Sequence, residues 1–142
     1  MSIIIDVAEA VKDELNTGSF SADFTAQRLY QPHFELEDMK VLHVSVVPAS
    51  TDLSLADRKS ARRDVQTHIA VQEKLQTADN DEIDALMDLV QEIADHFHTR
   101  RLAAAASAVC TAVENAPIYD QEHMDKWRQF TSLLTLTFRV VS

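Results

Sequence analysis

The clearest alternation of apolar and polar residues in the chain lies at its C-terminal end, in residues 132–142. Side chains alternate across a β-strand, so four apolar residues would share one face: Leu134, Leu136, Phe138 and Val140. A strand of this composition must pair inside a sheet, because a free one would aggregate. We therefore predict a closing strand that is essential to the fold.

Three earlier segments also follow a period of two. They predict a first strand in residues 21–32, a second in 40–48 and a third in 63–72. The second is apolar on both sides, which indicates an internal position in the sheet. Residues 49–60 are polar and lack strong periodicity, and they predict a long loop across which the second and third strands pair antiparallel. The inward residues of the third strand would be Val65, Thr67, Ile69 and Val71.

Helical spacing appears twice. Residues 3–15 predict a first helix that ends near Gly18, the one glycine of the chain. Asp79 or Asn80 would cap a second helix, and its acidic first turn suits the helix dipole. The apolar stripe of this second helix consists of Ile83, Leu86, Met87, Val90, Ile93, Ala94 and Phe97.

Residues 102–115 carry a mixed pattern. The alanines at 103–106 favour helix, whereas Val109, Thr111 and Val113 alternate, so we predict strand for most of this segment and leave helix open. Residues 119–130 indicate a loop that can hold a helical turn. The resulting order α-β-β-β-α-β-β predicts an α+β fold, with two main helices packed on a mostly antiparallel sheet of about four to five strands. Residues 1–142 are expected to form a single domain.

Composition narrows the function. The net charge of −10, from 23 acidic and 13 basic residues, opposes adsorption on nucleic acid and favours solubility. The single cysteine, Cys110, excludes an internal disulfide and fits a core position in a protein of a reducing compartment. The N-terminus has no signal-peptide pattern, and no run approaches the roughly 20 apolar residues of a membrane helix. We expect a protein made in the cytosol, with no membrane contact.

The search for catalytic chemistry finds no constellation. One glycine cannot build a phosphate-binding loop. His96 and His98 are two residues apart, which places them on different faces of a helix, and the other four histidines are isolated. The acids Asp79, Asp81, Asp84 and Asp88 lack the glycine and the final glutamate of a calcium loop, so helix capping and a solvated face explain them better. We predict no catalytic residue, no metal site and no cofactor.

Two clusters remain as candidates for protein contacts. A basic cluster of Arg58, Lys59, Arg62 and Arg63 would contact an acidic neighbour, such as another copy of the chain, or would be a solvated loop. Leu53 and Leu55 in the same segment would anchor it. Tyr119, Trp127 and Phe130 would pack in the core or form a subunit interface. The candidate interface residues are Leu53, Leu55, Arg58, Lys59, Arg62, Arg63, Tyr119 and Trp127.

The order of the motifs resembles a known family. The motifs are Phe-x-Ala-x-Arg at residues 24–28, Val-x-Val-Val-Pro at 44–48, Arg-Arg-Asp-Val at 62–65, Ile-Asp-x-Leu-Met at 83–87, and Leu-Thr-Leu-Thr-Phe-Arg-Val at 134–140. Together they resemble the tail terminator and tail completion proteins of long-tailed bacteriophages and prophages, over roughly residues 3–141. The alanine-rich stretch at 102–108 departs from the pattern.

This resemblance implies a structural protein of the virion, in the tail or neck. Such proteins form a homohexameric ring that caps the tail tube, stops its polymerisation and presents a surface to the head connector. DNA would pass through the lumen without specific binding, and an acidic wall would repel it.

Three alternatives stay open. The chain could be a head–tail connector rather than a terminator. It could be a small cytosolic enzyme that uses His43, His68 and the acids of 79–88. It could also be a module that binds a protein partner through residues 49–63.

Overall fold

The computed structural model of the chain describes residues 3–30, 42–55, 61–76, 79–102, 108–116 and 119–141. It has the predicted α+β fold, with two main helices on a five-stranded, mostly antiparallel sheet. A short third helix, α3, lies where the sequence allowed a helical turn. The elements are α1 (Ile3–Thr17), β1 (Ala26–Arg28), β2 (His43–Leu55), β3 (Ala61–Lys74), α2 (Asn80–Phe97), β4 (Ala108–Asn115), α3 (Gln121–Trp127) and β5 (Gln129–Val141).

The strand order in the sheet is β1-β2-β3-β5-β4. β1 runs parallel to β2, and the other neighbouring strands are antiparallel. The closing strand β5 therefore lies inside the sheet, between β3 and β4, as the sequence predicted. Its inward residues are fully buried at Leu134, Leu136 and Phe138, and nearly so at Val140.

The predicted loop at 49–60 is wrong for the residues that the structure describes. β2 continues through residues 49–55, and β3 begins at Ala61, so the two strands form one long antiparallel hairpin. A bulge between Pro48 and Ser50 interrupts the register. Proline has no backbone N–H to donate, and it is tolerated at a bulge because the hydrogen-bond ladder is interrupted there. The polar pattern misled because this part of β2 is exposed on both faces. Residues 56–60 lie outside the described residues.

The first strand is also shorter than predicted from residues 21–32. Only Ala26–Arg28 form β1. The Asn16 side chain binds both backbone groups of Ala26, accepting from its N–H at 2.7 Å and donating to its carbonyl at 3.2 Å. These bonds tie the start of β1 to the end of α1. Residues 31–32 lie outside the described part.

The two main helices follow the predicted stripes. α1 buries Val7, Val11 and Leu15 against β1, β2 and β3. It ends at Thr17, before Gly18, where a Cβ atom would lie 2.7 Å from the ring of Phe20.

α2 has the predicted Asp79 cap, whose side chain accepts a hydrogen bond of 2.9 Å from the Glu82 N–H. It buries Leu86, Leu89, Val90, Ile93 and Phe97. α2 packs on β4 and β5.

The mixed segment at 102–115 is a strand over Ala108–Asn115, as predicted for most of it. Residues 103–107 lie outside the described part, so the alanine run itself is not placed. Cys110 is buried in β4, in the predicted core position, and burial raises the pKa of its thiol to about 11. No helix among the described residues is long and apolar enough to cross a membrane.

Candidate subunit interface

The far end of the β2–β3 hairpin stands out from the rest of the sheet by its exposure. We call residues 49–55 of β2 and 61–64 of β3 the arm. Every residue from 49 to 55 is exposed, including Leu53 at 57% and Leu55 at 81%. The hairpin register places Leu53 opposite Arg63 and Leu55 opposite Ala61. Two large apolar side chains thus sit in water on a regular strand, which is a costly arrangement unless a partner covers them.

These two leucines continue the face of the sheet that carries the core. Thr51 pairs with Val65, and Val65 pairs with Phe138, so all three share one face. Leu53 and Leu55 lie on that face as well, because residues two apart on a strand point the same way. Val65 and Phe138 are fully buried, whereas the leucines are exposed. The apolar face therefore extends beyond the part that the core covers.

The other face of the arm is polar. Asp52 lies opposite Asp64, and Asp64 makes an ion pair with Arg139 of β5, with 3.1 Å between the Arg139 Nε and the carboxylate. Ser50 donates a hydrogen bond of 2.9 Å to Gln66. Like charges that face each other across a hairpin repel, and Arg139 offsets that repulsion. The arm therefore has one apolar and one hydrogen-bonded, charged face.

Two cations of the predicted basic cluster belong to the arm. Arg62 and Arg63 are half-buried on β3, opposite Ser54 and Leu53. The Nε atom of Arg62 is buried without a hydrogen-bond partner in the structure. Arg58 and Lys59 lie outside the described residues. Leu53, Leu55 and Arg63 thus share one face at this end of the hairpin, whereas Arg62 lies on the polar face with Ser54 and Asp64.

The aromatic candidates lie at the opposite end of the sheet. β5 begins at Gln129, opposite Lys74, and ends at Val141, opposite Arg62 of the arm. Tyr119 precedes α3 and is 40% exposed. Trp127 is the last residue of α3, and its side chain is not among the parts that the structure describes. Phe130 is fully buried, which confirms core packing for this member. The aromatic and arm residues therefore do not form one surface.

A cleft of about 540 Å³ lies between α2, the end of β3 and the segment before β1. We call it the groove. Its floor is apolar and its rim is acidic. The floor consists of Ala22, Leu42, Ala85, Leu86 and Leu89, and the rim carries Glu73, Glu82, Asp88 and Glu92.

The acids of the groove are held close to one another. Burial, followed by the charge of Glu82, raises the pKa of the Glu73 carboxyl above its ordinary value of 4.5. Glu82 accepts hydrogen bonds of 3.0 and 3.1 Å from the Gln76 N–H, and Glu92 accepts one of 3.1 Å from the Ser21 N–H. No basic side chain among the described residues forms an ion pair with Glu73, Asp88 or Glu92. The groove thus concentrates negative charge at the rim of an apolar floor.

Sequence reasoning missed the groove. It explained the acids of residues 79–88 by helix capping and a solvated face. Asp79 does cap α2, but Asp88 also lines the groove. A signal was present at Glu73, because this acid continues the inward series Val65, Thr67, Ile69 and Val71. An acid at an inward position of a strand indicates a cleft or a partner.

The residues of the alternative enzyme site are not brought together. His43 lies opposite Gln72, and His68 lies opposite Val47, so four register positions separate the two histidines along the hairpin. That separation corresponds to about 13 Å. Asp88 lines the groove on α2 beside Glu73, and Glu73 lies on the other face of the sheet from His68. This geometry does not support shared catalysis.

The chain is similar in structure to known proteins. No protein-family model matches the chain, and no curated protein matches it either. Among solved structures, the chain is similar to the sheath/tube terminator of PVC, an extracellular contractile injection system, in its extended state. The TM-score is 0.52 and the identity is 17%, and the match covers 100% of this chain and 57% of the solved one. The chain therefore spans little more than half the length of that protein. The two share a fold, which agrees with the resemblance to tail terminators seen in the sequence.

Proposed function

We propose that the chain is a structural protein that terminates the tube of a phage-like tail. The observation that carries the proposal is the fold shared with a sheath/tube terminator over the entire length of this chain. The order of sequence motifs suggests the same role through a separate route. In this proposal residues 1–142 act as one terminator-like domain, without enzymatic activity.

The surface of the chain supports a role in assembly. The arm exposes Leu53 and Leu55 on a regular strand, and regular strands with exposed apolar side chains are typical of surfaces that pair with another chain. We propose that the chain forms a homohexameric ring through such contacts. The ring would sit on the last tube subunits, contact the sheath where one is present, and offer its other side to the head connector.

A ring at this position must let DNA pass in a particle that carries it. The net charge of −10 suits this task, because a negative surface does not retain the phosphate backbone. We propose that part of this charge lines the lumen. The particle would hold the chain at its tail or neck, after synthesis in the producing cell. The terminator role of the solved neighbour favours termination over the neck connector role that the sequence left open.

Tube growth tests the proposal. The tube subunit of the same particle is allowed to polymerise with and without the purified chain, and tube lengths are measured by negative-stain electron microscopy. A terminator stops elongation, so lengths should shorten as its concentration rises, and preformed tubes capped by the chain should not grow further. Unchanged length distributions at saturating chain would contradict the proposed function. An equal amount of heat-unfolded chain is the control.

A further inference from the structure

The arm and the groove are complementary in both charge and polarity. The arm presents the exposed Leu53 and Leu55 on the same face as Arg63, whereas the groove presents an apolar floor with an acidic rim. A leucine side chain would fill the floor, and a guanidinium would meet the carboxylates at the rim, where desolvation makes such pairs stronger than on open surface. Each surface thus supplies what the other lacks.

The arm cannot reach the groove of its own chain. Glu73 at the groove lies ten residues after Arg63 on the same continuous strand, β3, which is about 33 Å. The arm is held straight along this direction, because β3 pairs with β2 and with β5 throughout residues 62–72. The two complementary surfaces therefore sit at opposite ends of one rigid sheet. Only another molecule can bring them together.

We propose that the arm of each copy docks into the groove of the next copy. This inference rests on the proposed ring and names its interface. Two different patches meet in such a contact, so it is heterologous, and a heterologous contact repeats around a ring until the rotation closes. Each copy uses its arm once and its groove once, and no arm or groove remains free in a closed ring. Leu53, Leu55 and Arg63, which share one face of the arm, then face Glu73, Glu82 and Asp88 of the neighbour.

The acids of the groove fit this role better than a structural one. Burial penalises the charge of Glu73 in the isolated chain, and the charge of Glu82 adds repulsion. The attraction of a neighbouring guanidinium would offset both. The groove therefore carries an electrostatic cost in the monomer that the docked arm offsets.

A charge-swap experiment tests the proposal. The arm-reversed chain carries Arg63→Glu, and the groove-reversed chain carries Glu73→Lys and Asp88→Lys. Each chain alone would place like charges at its own interface, so self-association measured by mass photometry should weaken about a hundredfold. A 1:1 mixture matches every contact, because each reversed surface meets the other. The mixture should recover rings with an even number of subunits.

The control for the groove is a chain with Asp95→Lys and Glu114→Lys. These two acids are exposed and do not line the groove. Replacing them changes the net charge by the same amount as in the groove-reversed chain. This chain should form rings like the wild type. Rings formed by either reversed chain alone, or a mixture of folded reversed chains that stays monomeric, would overturn the inference. A wild-type chain that stays monomeric, both alone and on tubes, would overturn it as well.

Cross-linking provides a second readout that does not depend on charge reversal. A chain with Leu55→Cys and Ala85→Cys should give a ladder of covalent multimers with a short bis-maleimide. Cys110 is buried with a thiol pKa of about 11, so it should stay unreactive. The matched control replaces Ala85→Cys by Asp95→Cys on the same helix. Equal ladders from both chains, or none from the first, would overturn the proposed contact.

The two proposals fail in different ways. Wild-type chains that shorten tubes, while the reversed chains still form rings, would leave termination intact and remove the arm–groove contact. Reversed chains that form rings only as a mixture, together with a wild-type chain that does not affect tube growth, would retain the contact and remove the terminator role.

Discussion

Glu14 in α1 accepts a hydrogen bond of 2.7 Å from the Nε atom of Arg100, which lies beyond the end of α2. The Glu14 side chain is only 7% exposed, and His96 of α2 lies 3.2 Å from the same carboxylate oxygen. This buried carboxylate therefore links the two main helices, which the chain separates by the whole β2–β3 hairpin.

Replacing Arg100 by alanine should destabilise the fold measurably. The change removes the charged donor Arg100 from the buried Glu14, and a buried charged acceptor that loses a donor costs about 1–3 kcal/mol. Urea denaturation followed by circular dichroism would measure this loss. The matched control is Arg139→Ala, which breaks the more exposed pair with Asp64 and should cost only about 0–1 kcal/mol. Equal effects of the two changes would contradict the role of the Glu14 link.

Deleting residues 132–142 should prevent folding. The deletion removes most of a strand that is paired on both sides, along with Leu134, Leu136, Phe138 and Val140. Each buried side chain contributes about 1.5–3 kcal/mol, and a domain has only about 5–15 kcal/mol of net stability. The truncated chain should give no cooperative thermal transition. As a milder test, Phe138→Ala should cost about 3–5 kcal/mol, and a smaller loss would show that the site readily repacks.

Replacing both exposed leucines of the arm should separate assembly from stability. Leu53→Ser with Leu55→Ser changes side chains that are mostly in water in the monomer, so the free energy of unfolding should stay within about 0.5 kcal/mol of the wild type. Ring formation should be lost, because the docked arm would bury these side chains. Calorimetry and mass photometry on the same sample measure the two effects. A variant that unfolds would show that the leucines belong to the core of the monomer.

The Glu73→Gln variant should be more stable than the wild type at neutral pH. The folded pKa of Glu73 is raised above its ordinary value of 4.5, so the folded state binds more protons than the unfolded state in the window between these two pKa values. Stability of the wild type therefore falls as pH rises through this window. Glutamine has no charge to lose. The gain at pH 7 should vanish near pH 4, as measured by urea denaturation, and a pH-independent difference would contradict the assignment.

Much of the fold could be predicted because most elements carry a one-sided apolar pattern. The buried residues follow the expected period on both elements: Leu134, Leu136 and Phe138 on β5, and Leu86, Val90 and Ile93 on α2. The arm could not be predicted, because its strand is held by β3 rather than by burial of its own side chains. Its polar residues show no alternation of apolar and polar positions, and only the pairing with β3 shows that they form a strand.

The candidate interface was partly visible in the sequence. The exposure of Leu53 and Leu55, and their position beside Arg63, agree with the idea of a basic loop with apolar anchors, although a strand replaces the loop. The groove combines Glu73, Ala22 and Asp88, which are distant in sequence and meet only through packing of α2 near the end of β3. Local sequence patterns carry no information about contacts between residues so far apart in the chain.

The most direct measurement of the central claim is the position of the chain on assembled particles. Particles produced with a tagged copy of the chain are labelled with gold and imaged by electron microscopy. A terminator predicts label at one end of the tail only, with about six copies per particle by quantitative mass spectrometry. Label along the whole tube, or particles of normal length that lack the chain, would contradict the account.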